Sequence, residues 1–355
     1  MALTQQQVLE ILHGIPAPGT TASLVEVGAV RQLEIDDGAV RLLLAVQAPQ
    51  PIVAEEVRAI VEAALAKLEG VATTEVRVQP LLATVQPGPG AAPEPPPNWA
   101  DKIPGVRNVI AVASGKGGVG KSTVSANLAL AAAALGHKVG LLDGDIYGPS
   151  QQMMMGTDAD PVGDSEGKIH PVVAPGNVKV MSFGFLVDPD QPVIWRGPLL
   201  QKALEQFVGD VAWGELDYLV VDLPPGTGDV ALTLCQNVPM AGAVIVTTPQ
   251  DVALIDARKS LHMFRKLEVP VLGIVENMAC YECPECGHVE HVFGSGGGQR
   301  TAAELGIPFL GSVPLDPAIV AGGDSGKPVV LDRPDSPAGK AFTELTANLI
   351  AGIEK

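Results

Sequence analysis

The chain has 355 residues, room for two domains, with 46% hydrophobic residues and a mean hydropathy of +0.26. Its formal charge of −17 argues against a nucleic-acid partner, because phosphate backbones attract basic surfaces. No apolar run reaches the roughly 20 residues of a membrane span, and Met1 to Gln7 shows neither the basic region nor the apolar core of a signal peptide. A cytoplasmic protein with no membrane partner is expected. Of four cysteines, three fall within seven residues, which reads as an intracellular metal site rather than a secreted disulfide framework.

Residues 1–82 read as a small α+β unit in the order α-β-β-α-β. Gln5 to Leu12 is a short helix, Val40 to Val46 a strand, and Thr74 to Val78 a last strand. Ile52 to Leu68 carries Ile60, Ala64, Leu65 and Leu68 at helical spacing. No site is assigned here, and an adaptor or interaction role is expected. Val85 to Pro97 is so dense in proline that it joins no helix or sheet interior. A linker is placed over 83–104, with the second domain over 105–355.

Beyond it, apolar strand-like segments alternate with helix-like ones. The strand candidates are Val109–Ala113, Val139–Leu142, Val178–Ser182, Tyr218–Val221, Ala243–Val246 and Val271–Val275. Continuous apolar runs suit parallel strands buried on both faces. The fold class is therefore α/β, a doubly wound, mostly parallel sheet preceded by the small α+β domain. Strand order is not readable at this level.

The first strand of that domain runs straight into Gly115-Lys116-Gly117-Gly118-Val119-Gly120-Lys121-Ser122-Thr123 and then an Ala/Leu-rich helix. Gly115, Gly120, Lys121 and Ser122 satisfy the P-loop pattern. Glycines let backbone N–H groups surround phosphate oxygens, and the helix start adds its positive dipole end. Lys121 should reach the β- and γ-phosphates of ATP, and Ser122 should ligate Mg²⁺. Gly115, Gly117 and Gly120 also meet the dinucleotide pattern, but Lys121-Ser122 directly after the last glycine favours the P-loop. An apolar strand ending in Asp222 is the arrangement that brings a carboxylate near Mg²⁺, usually through water. Pro224 to Gly228 can sense a γ-phosphate through backbone N–H groups. Asp143 and Asp145 lie two apart at the end of another strand, where α/β folds place ligands.

With its extra lysine, the glycine loop resembles that of the deviant P-loop class of MinD, ParA and the nitrogenase iron protein. The resemblance implies that Lys116 crosses a homodimer interface to the partner's phosphates. It also implies that Asp145 positions and activates the attacking water while Asp143 supports the switch and the metal shell. Further motifs narrow it: Trp195-Arg196-Gly197-Pro198, Trp213 to Asp217, Asp222 to Asp229, and Val246 to Gln250 are similar to those of the Mrp/ApbC group of iron–sulfur cluster carrier ATPases. This likeness spans roughly residues 104 to 330. It implies that Asn277 reads the adenine edge and that Pro314 and Leu315 pack beside the base. The first domain resembles the accessory domain fused to some iron–sulfur assembly ATPases.

Cys283-Pro284-Glu285-Cys286 places two thiolates close enough for one metal centre, and a [4Fe–4S] cluster needs four ligands, typically all cysteine. Two thiolates from each of two subunits meet that count, as in the resembling group. Cys280 departs from the group's pattern and stands as a further candidate ligand. Cys235, alone in an apolar segment, reads as a core thiol. Zinc remains the rival, with His288 or His291 as ligands. Met153 to Met155 read as ordinary packing.

The expected function is an ATP-dependent iron–sulfur cluster carrier with slow ATP hydrolysis. It takes its cluster from a donor scaffold and passes it to apo iron–sulfur proteins. Two alternatives stand beside it. A MinD/ParA-like spatial regulator would want a basic tail, which Phe342 to Lys355 does not supply. A zinc-bridged dimeric scaffold would want the metal without the chemistry.

Overall fold

The computed structural model describes residues 3–18, 22–36, 38–47, 51–68, 71, 73–81, 99–157, 159–186 and 197–354. Most of the proline-rich stretch, and Trp195 and Arg196 of the tryptophan motif, lie outside them. The chain divides into two compact units, Met1–Glu94 and Pro95–Lys355.

The first unit comprises α1 (Gln5–His13), β1 (Val30–Asp36), β2 (Ala39–Gln47), α2 (Pro51–Leu65) and β3 (Thr73–Leu81). Thr4 caps α1 in a reciprocal box with Gln7, which satisfies two of the orphan N–H groups at the helix start. The sheet order is β1-β2-β3, antiparallel then parallel. Val57, Val61 and Leu65, four apart along α2, are buried with Val8, Leu12, Leu42, Leu44 and Val76. The small α+β unit thus has its own core.

The second unit begins with a 3₁₀ turn, Trp99–Lys102, and Trp99 is 1% exposed within this unit's core. Trp99 and Ile103, at the end of the stretch read as a linker over 83–104, are packed into this unit's core. Next come β4 (Val106–Ser114), α3 (Lys121–Ala134), β5 (Val139–Asp143), α4 (Gln151–Met154), a small ribbon of β6 (Val162–Gly163) and β7 (Ile169–His170), β8 (Val172–Ala174) and β9 (Val178–Ser182). They are followed by α5 (Gly197–Gly209), β10 (Leu216–Asp222), α6 (Asp229–Asn237), β11 (Met240–Thr247), α7 (Asp251–Lys266) and β12 (Val271–Glu276). A second ribbon, β13 (Tyr281–Glu282) and β14 (Val289–Glu290), precedes α8 (Gly297–Leu305), β15 (Phe309–Ser312), α9 (Pro317–Asp324), α10 (Val329–Asp332) and α11 (Pro337–Ile353).

The eight-stranded sheet has the order β15-β12-β11-β4-β10-β5-β9-β8, and every pairing is parallel except β8 with β9. All six expected strands are present. The edge strands Phe309–Ser312 and Val172–Ala174 went unread because each is short, four and three residues long.

Alternation along β4 explains the two-sided burial. Val109, Ala111 and Ala113 enter one core with Leu142, Leu219 and Phe264, while Ile110 and Val112 enter the other with Leu128, Val220 and Phe342. The Ala/Leu-rich α3 is buried along most of its length, in contact with α11 and the sheet. Small side chains there allow close approach. This double layer fixes the C-terminal ends of β4, β5 and β10 at one level: Asp222 pairs in register with both Val112 and Asp143.

Candidate nucleotide site and cysteine hairpin

The loop between β4 and α3 is shaped by two close approaches. A Cβ on Gly115 would enter the α7 backbone at Asp256. Gly120 has φ of 84° and caps α3, and a Cβ there would meet the Asn277 side chain. Only glycine accepts that combination of left-handed backbone and contact. Asn277 answers the approach with a bond, its Nδ2 donating to the Val119 carbonyl at 2.8 Å. Its own N–H donates to Thr247 at 2.8 Å, so β11, β12 and the loop are tied together. One of the two Asn277 side-chain N–H donors is thus used on the loop, and its second N–H and its carbonyl oxygen have no partner among the described residues.

Under the loop lies a buried polar cluster. Lys121 Nζ reaches Asp222 Oδ1 at 2.7 Å and donates to Ser122 Oγ at 3.2 Å. Ser125 Oγ, one turn further along α3, also donates to Asp222 Oδ1, at 2.8 Å. Gln151 Nε2 donates to Asp222 Oδ2 at 2.8 Å and to the Ser122 carbonyl at 3.0 Å. The carboxylate is fully buried yet accepts three donors, one of them cationic, as a buried charge requires.

Asp143 anchors the loop that follows β5. Its Oδ2 accepts from the N–H groups of Ser150 and Gln151 at 2.9 and 3.0 Å and from Ser182 Oγ at 2.9 Å, and its Oδ1 accepts from Asp145 N–H at 3.1 Å. Burial first, and then the charge of Asp222, push the Asp143 carboxyl up to about 7. Asp145 is half-buried and accepts from Gly148 N–H at 3.3 Å. Burial raises its pKa above the ordinary carboxylate value, with Lys121 opposing and Asp222 adding to the rise. A carboxyl poised in this way can hold and orient a water or move its proton. Lys116 in the loop and Thr123 in the first turn of α3 are half-buried, while Gly117 and Gly118 are exposed. The Gly226 N–H bonds the Ser114 carbonyl at 2.9 Å, which brings the Pro224–Gly228 loop against the start of the P-loop.

The cysteine motif forms the turn of the β13–β14 ribbon. Cys283 N–H donates to His288 at 2.9 Å and Gly287 N–H donates back to Cys283 at 2.8 Å, with Gly287 at φ of 69°. The N–H groups of Cys286 and then Glu285, and the Cys286 thiol, hold the Cys283 thiol below its usual pKa. Cys286 is exposed, whereas Cys280 and Cys283 are half-buried. Cys280 and Cys283 border a cavity of about 580 Å³ that Pro314, Leu315, Asp316 and Arg333 also line. Main-chain bonds from Ala279 to Val313 and from Leu315 to Cys280, at 3.0 and 2.7 Å, splice the hairpin's stem to the Pro314 segment. His291 Nδ1 lies 3.0 Å from the Ala279 carbonyl. Cys235 is buried on α6, which pushes its thiol up to about 12. Among the described residues, no three His, Cys, Asp or Glu side chains of one chain converge to hold a metal ion.

Ser125, Gln151 and Ser182 were not foreseen. Ser125 had a signal, lying four residues after Lys121 on the same helical face. Gln151 and Ser182 had none, since only the fold brings them to the acids.

A buried lysine–carboxylate pair under a glycine loop, at the C-terminal edge of a doubly wound sheet, defines a P-loop nucleotide-binding protein. The family profile described as "NUBPL iron-transfer P-loop NTPase" matches residues 105–350, and one described as "Iron-sulfur cluster assembly protein" matches residues 5–78. The chain belongs to this NUBPL-type family of iron-transfer P-loop NTPases. It is 45% identical over 354 residues to the iron–sulfur cluster carrier protein of Synechocystis sp., covering 99% of this chain and 98% of that one. It is 48% identical to the carrier protein of Pseudomonas fragi, over 83% of this chain and 100% of the relative. Among solved structures it is similar to the nucleotide-binding protein of Archaeoglobus fulgidus in complex with ADP, with a TM-score of 0.60 and 40% identity over 69% of this chain and 96% of that chain. The MinD ATPase of Pyrococcus furiosus shares the fold, with a TM-score of 0.51 at 24% identity over 69% of this chain and 98% of that chain.

Proposed function

We propose that this protein is an ATP-dependent carrier of iron–sulfur clusters. The observation that carries the reading is the pairing, in one folding unit, of the Lys121–Asp222 phosphate site with a Cys283–Cys286 turn whose N–H groups stabilise a thiolate. The cluster is cargo, so its holder should be shallow. The exposed Cys286 at the tip of a two-residue ribbon suits release.

ATP and Mg²⁺ fit the chain's own groups. The buried acids and the Ser122 hydroxyl are the donor set of a hard cation. Bound there, Mg²⁺ would neutralise charge on the phosphates. Lys121 leaves Asp222 for the β- and γ-phosphates, and the Gly115–Thr123 amides surround them. Asp145 orients the attacking water and accepts its proton. Lys116 reaches the phosphates of a second copy. The Asn277 oxygen and Pro314 contact the base. Hydrolysis is slow because the site is complete only in the dimer.

One Cys-Pro-Glu-Cys turn supplies two thiolates, a cubane wants four, and a twofold axis doubles any site placed on it. Cys283 and Cys286 of two copies therefore hold one [4Fe–4S] cluster, received from a donor scaffold and passed to apoproteins in the cytoplasm. Cys280 stands behind them at the cavity wall. The N-terminal domain acts as an adaptor for donor or client.

The experiment is anaerobic reconstitution with iron and sulfide, followed by transfer to an apo-ferredoxin acceptor. The expected result is about four iron per dimer, from the ligand count, and loss of binding in Cys283→Ala and Cys286→Ala. Stoichiometric zinc that iron does not displace would instead make the turn a zinc scaffold, with His288 as a candidate ligand.

A further inference from the structure

Gln151 is fully buried at the first position of α4. Its side chain touches both halves of the nucleotide site through Nε2, which bonds Asp222 Oδ2 and the Ser122 carbonyl at 2.8 and 3.0 Å. Its backbone N–H bonds Asp143 Oδ2 at 3.0 Å. One residue thus links the loop after β5, the end of β10 and the first turn of α3. Its carbonyl oxygen Oε1 is buried and has no hydrogen-bond partner among the described residues. A buried acceptor left unpaired loses the bonds water gave it and regains nothing. Natural structures retain such an atom where a ligand, ion or water completes it.

The surroundings narrow what completes it. The carboxylates of Asp143 and Asp222 already take the side-chain donors of Ser125, Gln151 and Ser182. A donor brought in from outside can complete Oε1. Mg²⁺ keeps several waters when it binds, and those waters are polarised donors in need of acceptors. A neutral amide oxygen accepts from such a water without adding a third negative charge beside two buried acids. An apolar side chain at this position would leave Asp222 Oδ2 without this donor and offer the water nothing.

We propose that Gln151 is a positioning residue of the Mg²⁺ site, with Nε2 holding Asp222 in orientation and Oε1 accepting a hydrogen bond from a water of the metal's shell. The inference rests on reading Lys121, Ser122 and Asp222 as a Mg²⁺–nucleotide site. Its consequence is a division of labour around Asp222. When Lys121 departs for the phosphates, Ser125 and Gln151 remain as donors, so the carboxylate keeps its place while its cationic partner is exchanged for the metal.

The test is equilibrium binding of a fluorescent ADP analogue, titrated with Mg²⁺ and repeated with EDTA. Gln151→Met keeps the length and removes both amide atoms. Its affinity is expected to fall more in Mg²⁺ than in EDTA, with the Mg²⁺ concentration for half-effect rising about tenfold, the worth of one lost charge-assisted bond. If Gln151→Met does not fold by circular dichroism, Gln151→Asn, which withdraws both amide atoms by one methylene, is read the same way. An unchanged Mg²⁺ midpoint, or an equal loss with and without Mg²⁺, overturns the proposal, since a purely structural role would weaken both. Wild-type binding that ignores Mg²⁺ would instead remove the Mg²⁺ site itself, a failure visible before any variant is made.

Discussion

Lys121 and Asp222 form an ion pair 2.7 Å long, with the lysine side chain 6% exposed and the carboxylate not exposed at all. Each is the other's main compensation for burial. On the proposed reading the lysine is parked on the acid of the metal site, so that nucleotide binding would be an exchange of partners rather than the filling of a ready cavity.

Breaking this pair from one side should be costly. Lys121→Ala leaves Asp222 buried with two neutral donors only. Removal of one partner of a buried pair typically costs about 3–5 kcal/mol. Urea unfolding of the nucleotide-free protein should show a loss of that size. Retention of wild-type stability would mean that water reaches Asp222.

Asp145 and Lys116 should separate chemistry from binding. Asp145→Ala is expected to lower ATP turnover by about 10²–10⁴-fold, the usual worth of a general base, with nucleotide affinity nearly intact. Lys116→Ala should also bind nucleotide and lose most turnover. Mixing it with Lys121→Ala subunits should change activity in a way that depends on protein concentration. Wild-type turnover of Lys116→Ala at every concentration would exclude a shared site.

The acid pair gives a pH signature in the nucleotide-free protein. Asp143 titrates near its ordinary value of 3.8 when unfolded and at about 7 when folded. Between those values the folded state binds the extra proton, so this group's contribution to stability falls as pH rises from about 4 to about 7 and then levels off. Asp143→Ala removes that term. The stability difference between wild type and Asp143→Ala, measured by urea unfolding, should shift against wild type as pH rises through this window. A difference that is flat with pH would mean that the carboxyl is ionised throughout.

Thiol chemistry should divide the cysteines sharply. Cys283, with its thiolate held by N–H donors, should be alkylated by iodoacetamide at neutral pH well before Cys235, whose buried thiol stands near 12. Mass spectrometry of the native, metal-free protein resolves the order. Cys235 should react only after unfolding, and Cys235→Ala should reconstitute a cluster as wild type does.

Much of this was written in local spacing. The glycine loop, Lys121 and Ser122 are adjacent in the chain, because an amide cradle and a helix start are themselves local structures. The six central strands announced themselves as continuous apolar runs, since burial on both faces leaves no polar alternation. The Cys283–Cys286 turn is likewise short-range. What spacing could not supply was which distant groups meet. Strand order follows from how the crossover helices pack, and it sets Asp143 and Asp222 in register although 79 residues separate them. Ser182 reaches Asp143 only because the β5 and β9 ends lie side by side, and Gln151 reaches Asp222 only because β5 pairs with β10. Asn277 serves the loop through Val119 only because β12 lies beside β11, next to β4, which carries the loop. A hydrogen bond is decided by ångströms in space, and separation along the chain carries no record of those distances once the residues lie on different strands.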